Sequence, residues 1–150
     1  MTKKEKQLLL KDLCARLPYG IVVSISYPTL TEKSKKLDIP LVSIDLLDNT
    51  CTVGDSYGKT SGLRMFSSKG ELLCKPYLRP IESMTEKETY IFRQDILNEV
   101  EARCIHSFGC GKYSLAFAEA NDWLYEHHFD YRDLIEKGLA LEAPEGMYDF

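Results

Sequence analysis

The sequence predicts an α+β fold: an N-terminal helix, a small antiparallel sheet, and then a C-terminal helical part of about three helices. Two observations predict it. Apolar and polar residues alternate in several short stretches before residue 80, and apolar residues recur at helical spacing after it. Because turn residues separate the short strands closely, we expect a meander or a small SH3-like barrel.

Length and composition predict one domain over residues 1–150. A chain of 150 residues is the usual size of a single domain, and 44% hydrophobic with 28% charged residues is typical of globular proteins rather than disordered ones. No repeat or flexible linker divides the chain. We therefore expect residues 1–80 and 81–150 to be a strand-rich half and a helical half of one folding unit.

The first helix is predicted over residues 3–16. Thr2 and Glu5 have the spacing of a capping box, in which each side chain binds a free amide at the start of a helix. Leucines then recur at helical spacing, and Pro18 with Gly20 ends the run. Period-two alternation predicts strands over residues 21–27, 37–48, 50–53, 63–66 and 71–75. The turn residues Asp48 and Asn49 join the second and third of these into a hairpin, and residues 67–70 join the last two into another.

The second half is predicted to begin after the two prolines Pro76 and Pro80. Capping residues before position 86 begin a long helix, which a glycine pair ends near residue 110. A second helix is capped by Ser114 and buries Trp123, and Asp130 caps a short third helix that ends at Gly138. The segment after it is rich in apolar residues, so we expect it to dock on the body.

Charge divides the two halves. Residues 1–80 contain 13 Lys and Arg against 8 Asp and Glu, a net charge of +5, whereas residues 81–150 contain 6 against 15, a net charge of −9. The two halves can attract each other within one chain or across a dimer, or the basic half can bind an acidic partner.

Basic residues interleaved with tyrosines in the first half fit a nucleic-acid interface, because a strand is held by phosphate contacts and base stacking. The alternative is a solvated basic surface over a tyrosine-rich sheet. The candidate nucleic-acid-binding residues are Lys35, Lys36, Lys59, Arg64, Lys69, Lys75 and Arg79.

Candidate metal ligands are few. Cys104, His106 and Cys110 lie within seven residues, and His127 or His128 could complete a tetrahedral zinc site. The spacing differs from a C-x-x-C knuckle, so packed thiols are the alternative and we assign no metal or cofactor. A His127/His128 pair near a cysteine also suggests base-assisted nucleophilic catalysis, but no motif brings these groups together and we assign no catalytic residue.

The five cysteines are odd in number and scattered, which favours reduced thiols over a disulfide framework. The N-terminal segment lacks the apolar core of a secretory signal, and no apolar run approaches the roughly 20 residues that cross a bilayer. A soluble, cytoplasmic protein with no membrane partner is the expectation.

Three segments resemble a known group of proteins: Leu8 to Gly20 (LLLKDLCARLPYG), Lys75 to Thr85 (KPYLRPIESMT) and Trp123 to Tyr148 (WLYEHHFDYRDLIEKGLALEAPEGMY). They resemble small uncharacterised proteins of gut Bacteroidales, often found among prophage-like or mobile-element genes. The resemblance implies an accessory protein inside a bacterial cell. It supplies no activity, ligand or catalytic residue to transfer.

These observations favour a non-enzymatic binding or adaptor module of a prophage or mobile element, with a protein partner or self-association as a dimer. The alternative is a nucleic-acid-binding protein or a metal-dependent enzyme that uses the Cys104, His106 and Cys110 group with the His127/His128 pair.

Overall fold

The computed structural model describes residues 1–27, 35–54, 58–98 and 112–148. It confirms the α+β class, with an N-terminal helix, a six-stranded sheet and further helices. The predicted helix end near residue 110, together with Cys104, His106 and Cys110, lies outside the described residues.

The first helix, α1, spans Lys3–Arg16, as predicted. The Thr2 hydroxyl accepts from the Glu5 amide at 3.2 Å, and the Glu5 carboxylate accepts from the Thr2 amide at 2.6 Å, so both partners of the capping box are in place. A 3₁₀ turn at Leu17–Tyr19 follows, and Gly20 ends it with a left-handed φ of 73°.

The sheet contains β1 (Val22–Tyr27), β2 (Lys35–Asp45), β3 (Thr50–Gly54), β4 (Thr60–Arg64), β5 (Cys74–Leu78) and β6 (Leu141–Glu142). The strand order is β4-β3-β2-β1-β5-β6. Strands β1 to β4 form an antiparallel meander, β5 returns to the other side of β1, and β6 adds to β5 in parallel.

The sheet is open, so the expectation of an SH3-like barrel is wrong. One face of the sheet is covered by Leu9 and Leu13 of α1, which are fully buried against Val23, Leu41 and Val53. A helix is about 10 Å across with its side chains, and a small barrel has no room for it inside. Helix α1 therefore covers the apolar face of the sheet that a closed barrel would enclose.

Two buried cysteines lie in the core on different strands. Cys51 is on β3 and Cys74 is on β5, with two strands between them in the sheet, and both belong to the same core cluster. Interaction with Cys51, together with burial, raises the pKa of the Cys74 thiol. Both are free and buried, as expected for packed thiols.

The strand predicted at residues 71–75 lies further along, at Cys74–Leu78, and contains Pro76. The Ser26 amide donates to the Leu73 carbonyl, which makes Val23 and Pro76 a non-hydrogen-bonded pair. The nitrogen of Pro76 therefore faces away from β1. On that side β6 reaches only Tyr77 and Leu78, so the missing N–H costs no ladder bond.

Helix α2 spans Glu86–Ile91 behind a Thr85/Glu88 capping box and continues as a π-helix over Phe92–Leu97. Helix α3 spans Lys112–Glu126, so Ser114 lies inside the helix and the prediction that it is the cap is wrong. Trp123 is buried, as predicted, with its ring 5.0 Å from that of Phe92.

The short helix predicted after Asp130 is wrong, because residues 131–138 form turns. Asp130 does act as a cap: its carboxylate accepts from the amides of Leu134 and Ile135 at 2.9 and 2.8 Å. Asp133, however, has a left-handed φ of 56°, which interrupts helical winding.

The predicted docking of the C-terminal segment is confirmed as far as residue 148. Leu141 and Glu142 pair with Tyr77 and Leu78. The Tyr148 hydroxyl donates to the Tyr77 carbonyl at 3.0 Å and accepts from the Val22 amide at 3.1 Å. Among the described residues, no helix is both long and apolar enough to span a membrane.

Candidate binding surfaces

Buried charge joins the C-terminal part to α1. Asp12 and Arg16 are both fully buried, and the Arg16 Nε donates to the Asp12 carboxylate at 2.7 Å. The same guanidinium donates to the Phe129 carbonyl at 2.7 Å and to the Leu124 carbonyl at 3.4 Å. Because every one of these groups is removed from water, the arrangement fixes the end of α3 on α1.

Two tyrosines and a second arginine extend this cluster. Arg132 lies 3.7 Å from the Asp12 carboxylate, and its guanidinium donates to the Tyr125 hydroxyl. The Tyr131 hydroxyl donates to the Tyr125 hydroxyl at 2.6 Å. Burial and the contact with Tyr131 raise the pKa of Tyr125, so this phenol stays protonated and serves packing rather than acid–base chemistry.

Arg79, a predicted nucleic-acid contact, lies at the junction of the halves. Its guanidinium donates twice to Glu88, at 2.7 and 3.0 Å, and lies 4.3 Å from the centre of the Phe129 ring. The hydrogen bonds from Arg79 lower the pKa of Glu88 to about 2. The Arg79 side chain therefore binds Glu88 of α2 and holds this helix against the sheet.

The two histidines have separate environments. The His127 ring stacks on Trp123 at 4.0 Å, and its Nδ1–H donates to the Trp123 carbonyl. His128 is buried, has a left-handed φ of 57°, and donates from Nε2 to the Tyr19 carbonyl at 3.1 Å. Burial, with nearby Arg16, lowers the pKa of His128 to about 4, so the ring is neutral at neutral pH.

The described histidine, cysteine and acidic side chains do not form a metal site. In this part of the chain, no three of them come together in a way that could hold a metal ion. Cys104, His106 and Cys110 are not among those residues, so the zinc hypothesis that includes them stays a prediction.

A cleft of about 400 Å³ lies beside the Arg79–Glu88 pair, between the α2 cap and the docked C-terminal segment. Arg79, Thr85 and Tyr148 line it, together with the exposed carboxylates Glu142 and Glu145. Tyr148 and Arg79 are held by main-chain and carboxylate partners. The cleft therefore presents a mainly acidic rim around structural groups.

The remaining basic candidates are spread out. Paired residues of neighbouring strands point to the same side, so Lys36, Arg64 and Lys75 lie on the outer face, opposite α1. Arg64 aligns with Asp45 of β2, because Thr50 of β3 pairs with both. Asp45 lies nine residues from Lys36 along β2, which is about 30 Å, so Lys36 and Arg64 are far apart. The nucleic-acid interface stays a prediction, with its cations at separate places.

Lys75 is bound within the fold, and the other three basic candidates lie elsewhere. The Lys75 ammonium donates to the Gly138 carbonyl at 2.7 Å. Lys59 is exposed just before β4, Lys69 is exposed in the turn after it, and Lys35 begins β2.

Exposed apolar side chains lie close together at the turn that follows β2. Of the seven large hydrophobic residues that are exposed in the described chain, Val42, Leu46 and Leu47 lie at this end of β2 or in its turn, whereas Leu37 lies near the other end of the strand and shares the face of Ile25. Leu47 is 91% exposed. We define the ribbon surface as the outer side of residues 42–45, β3 and β4, with the turn at residues 46–49.

The turn of the ribbon surface is held rigidly. The Asp45 carboxylate accepts from the amides of Leu47 and Asp48 at 2.9 and 3.2 Å, and Asn49 adopts a left-handed φ of 53°. At the other end, a Cβ at position 54 would lie 2.9 Å from the Val42 side chain and 3.5 Å from that of Thr60, so glycine at this position leaves room for Val42. Sequence reasoning located this hairpin but missed its exposed leucines, because alternation does not show which face is covered.

Comparison with known proteins gives no relative for this chain. No protein-family model, curated protein or solved structure matches it.

Proposed function

We propose that this chain is a non-enzymatic binding or adaptor module that takes a protein partner on the ribbon surface. The observation that carries the proposal is the exposure of Val42, Leu46 and Leu47 on one rigid hairpin. Burying a leucine side chain is worth about 1.5–3 kcal/mol, and a turn that is already ordered loses little entropy on binding. The resemblance of the chain ends to prophage and mobile-element proteins supports a role inside a bacterial cytoplasm.

The charge pattern supports a protein rather than a nucleic acid as the partner. Asp38 and Asp45 share the outer face with Lys36 and Arg64, so the face carries both signs. A nucleic-acid interface needs a continuous basic path along the phosphates.

The proposal is tested by affinity capture with cross-linking, using the full chain as bait and Leu46→Ser/Leu47→Ser as the variant. Tyr90→Ser is the matched control, because Tyr90 is 65% exposed but lies on α2. We expect a protein partner that the control retains and the double variant loses. Equal capture by all three baits would contradict the proposal.

The alternative, a nucleic-acid partner, is tested by measuring the binding of labelled single-stranded DNA and RNA at about 50 mM salt. We expect no saturable binding. Saturable binding that Lys36→Ala or Arg64→Ala weakens would instead assign a nucleic-acid partner.

A further inference from the structure

Strand β4 is an edge of the sheet: β3 pairs with one side of it, and no other strand of the described residues pairs with the opposite side. Four of its five residues are exposed, and Leu63 is half-buried. The opposite edge is β6, which has only two residues. A five-residue edge of this kind is a template for pairing with another extended chain.

The register shows which backbone groups face outward. The Met65 amide donates to the Asn49 carbonyl at 3.1 Å, which makes Arg64 and Thr50 a non-hydrogen-bonded pair. Every second residue shares that property, so Thr60, Gly62 and Arg64 each direct their N–H and C=O away from β3. In the described part of the chain, no hydrogen bond from another segment meets these groups.

The side chains of β4 determine which residues another strand would need in order to pair with this edge. Arg64 is exposed on the outer face, and among the described residues it forms no ion pair. Leu63 lies on the inner face and packs against the core at its rim. A partner residue beside Arg64 should be acidic, and its neighbour beside Leu63 should be apolar.

We propose that β4 accepts an extended segment of a protein partner, in which acidic and apolar residues alternate, as a further strand of the sheet. This inference rests on the proposed function and names the partner's chemistry. A second copy of β4 fits less well, because antiparallel pairing about Gly62 would place Thr60 of one copy opposite Arg64 of the other and leave the arginine without an acidic partner.

The probe is a labelled peptide of about ten residues in which valine alternates with glutamate, compared with the same peptide carrying lysine in place of glutamate. Gly62→Pro removes one outward N–H and leaves the ladder to β3 intact. Gly62→Ala is the matched control: it keeps the N–H, and the added carbon meets nothing within 4 Å. Fluorescence anisotropy measures affinity, and circular dichroism checks folding.

We expect the wild type to bind the glutamate peptide and to prefer it to the lysine peptide. Gly62→Pro should weaken binding by about fivefold or more, the loss expected for one hydrogen bond, whereas Gly62→Ala stays within about twofold. Arg64→Glu should reverse the preference between the peptides, and this variant decides the question if Gly62→Pro does not fold.

No binding of either peptide, or equal binding to wild type and Gly62→Pro, would overturn the inference. A dimer that Gly62→Pro abolishes would assign the edge to a second copy instead. Neither result affects the capture of a protein partner through Leu46 and Leu47. The inference about β4 can therefore be wrong while the proposed function holds, and the reverse.

Discussion

Arg16 and Arg79 both hold the segment around Phe129, but they do so in different surroundings. Arg16 is fully buried and donates to the Phe129 carbonyl, whereas Arg79 keeps 16% of its side chain exposed and stacks on the Phe129 ring. Arg79 also joins the main chain there, with its amide donating to the His128 carbonyl and its carbonyl accepting from Asp130. One segment is thus held from both sides.

The two arginines differ in what happens to their partner groups when the arginine side chain is removed. Without Arg16, the Asp12 carboxylate and two main-chain carbonyls stay buried with fewer partners. Without Arg79, the Glu88 carboxylate can turn to water, and the backbone bonds at residue 79 remain. A fully buried pair is therefore costly to break, whereas a pair that keeps some contact with water contributes less.

The largest expected effect is that of Arg16→Met. Removing one partner of a buried ion pair costs about 3–5 kcal/mol, because the other charge stays buried. We expect the free energy of unfolding, measured in urea, to fall by that amount. The control is Lys137→Met, which removes an exposed pair with Asp133 at the same four-residue spacing, together with exposed bonds to the carbonyls of Arg132 and Asp133, and should change the free energy of unfolding by less than about 1 kcal/mol. Equal losses in the two variants would contradict the comparison.

A smaller effect is expected from His128, which lies between the two arginines. Its pKa is about 4 in the folded chain and 6.5 when unfolded, so the unfolded chain takes up the proton first as pH falls. Stability should drop on the order of 1–2 kcal/mol between about pH 7 and pH 5. His128→Gln, which cannot titrate, should remove that part of the pH dependence. An unchanged slope in the variant would show that other groups cause it.

The smallest expected effect concerns Arg79 and Glu88. The pKa of Glu88 is lowered to about 2, so its stabilising contribution is full above the ordinary value of 4.5 and is lost as pH falls toward 2. We expect Glu88→Gln to cost about 1 kcal/mol or less near neutral pH. Thermal unfolding at falling pH should show the wild type and the variant converging below pH 4.5. A difference that persists at pH 2 would rule out the ion pair as its source.

The sequence predicted α1 and the β2–β3 hairpin well, because caps, turn residues and periodicity are local signals. The second predicted hairpin, residues 63–66 with 71–75, is wrong, because β4 pairs with β3 and β5 pairs with β1, while Phe66 and Leu72 form an isolated bridge. It did not predict the burial of Asp12 and Arg16. Oppositely charged residues four positions apart are usually a solvent-exposed pair, and the carbonyls that complete this site lie more than 100 residues away. The open sheet was also unpredictable, since period-two alternation is the same in a barrel and in a sheet covered by a helix.

The candidate binding surface was predictable only in part. Turn residues at Asp48 and Asn49 indicated the hairpin, but the free edge depends on strand order, which no local pattern encodes. The sequence predicts Arg64 as a basic residue that binds phosphate, and this stays a prediction. The proposed pairing of β4 would instead place Arg64 beside an acidic residue of the added strand.

The hydroxyl of Tyr148 joins Val22 to Tyr77, and β6 pairs with β5, although β6 lies more than 60 residues beyond β5 in the chain. During synthesis, the antiparallel strands can therefore assemble well before residues 141–148 have left the ribosome. Until then β5 is itself an edge strand. A nascent chain would thus expose a second pairing template for part of its synthesis, and the arrival of Tyr148 would end that interval.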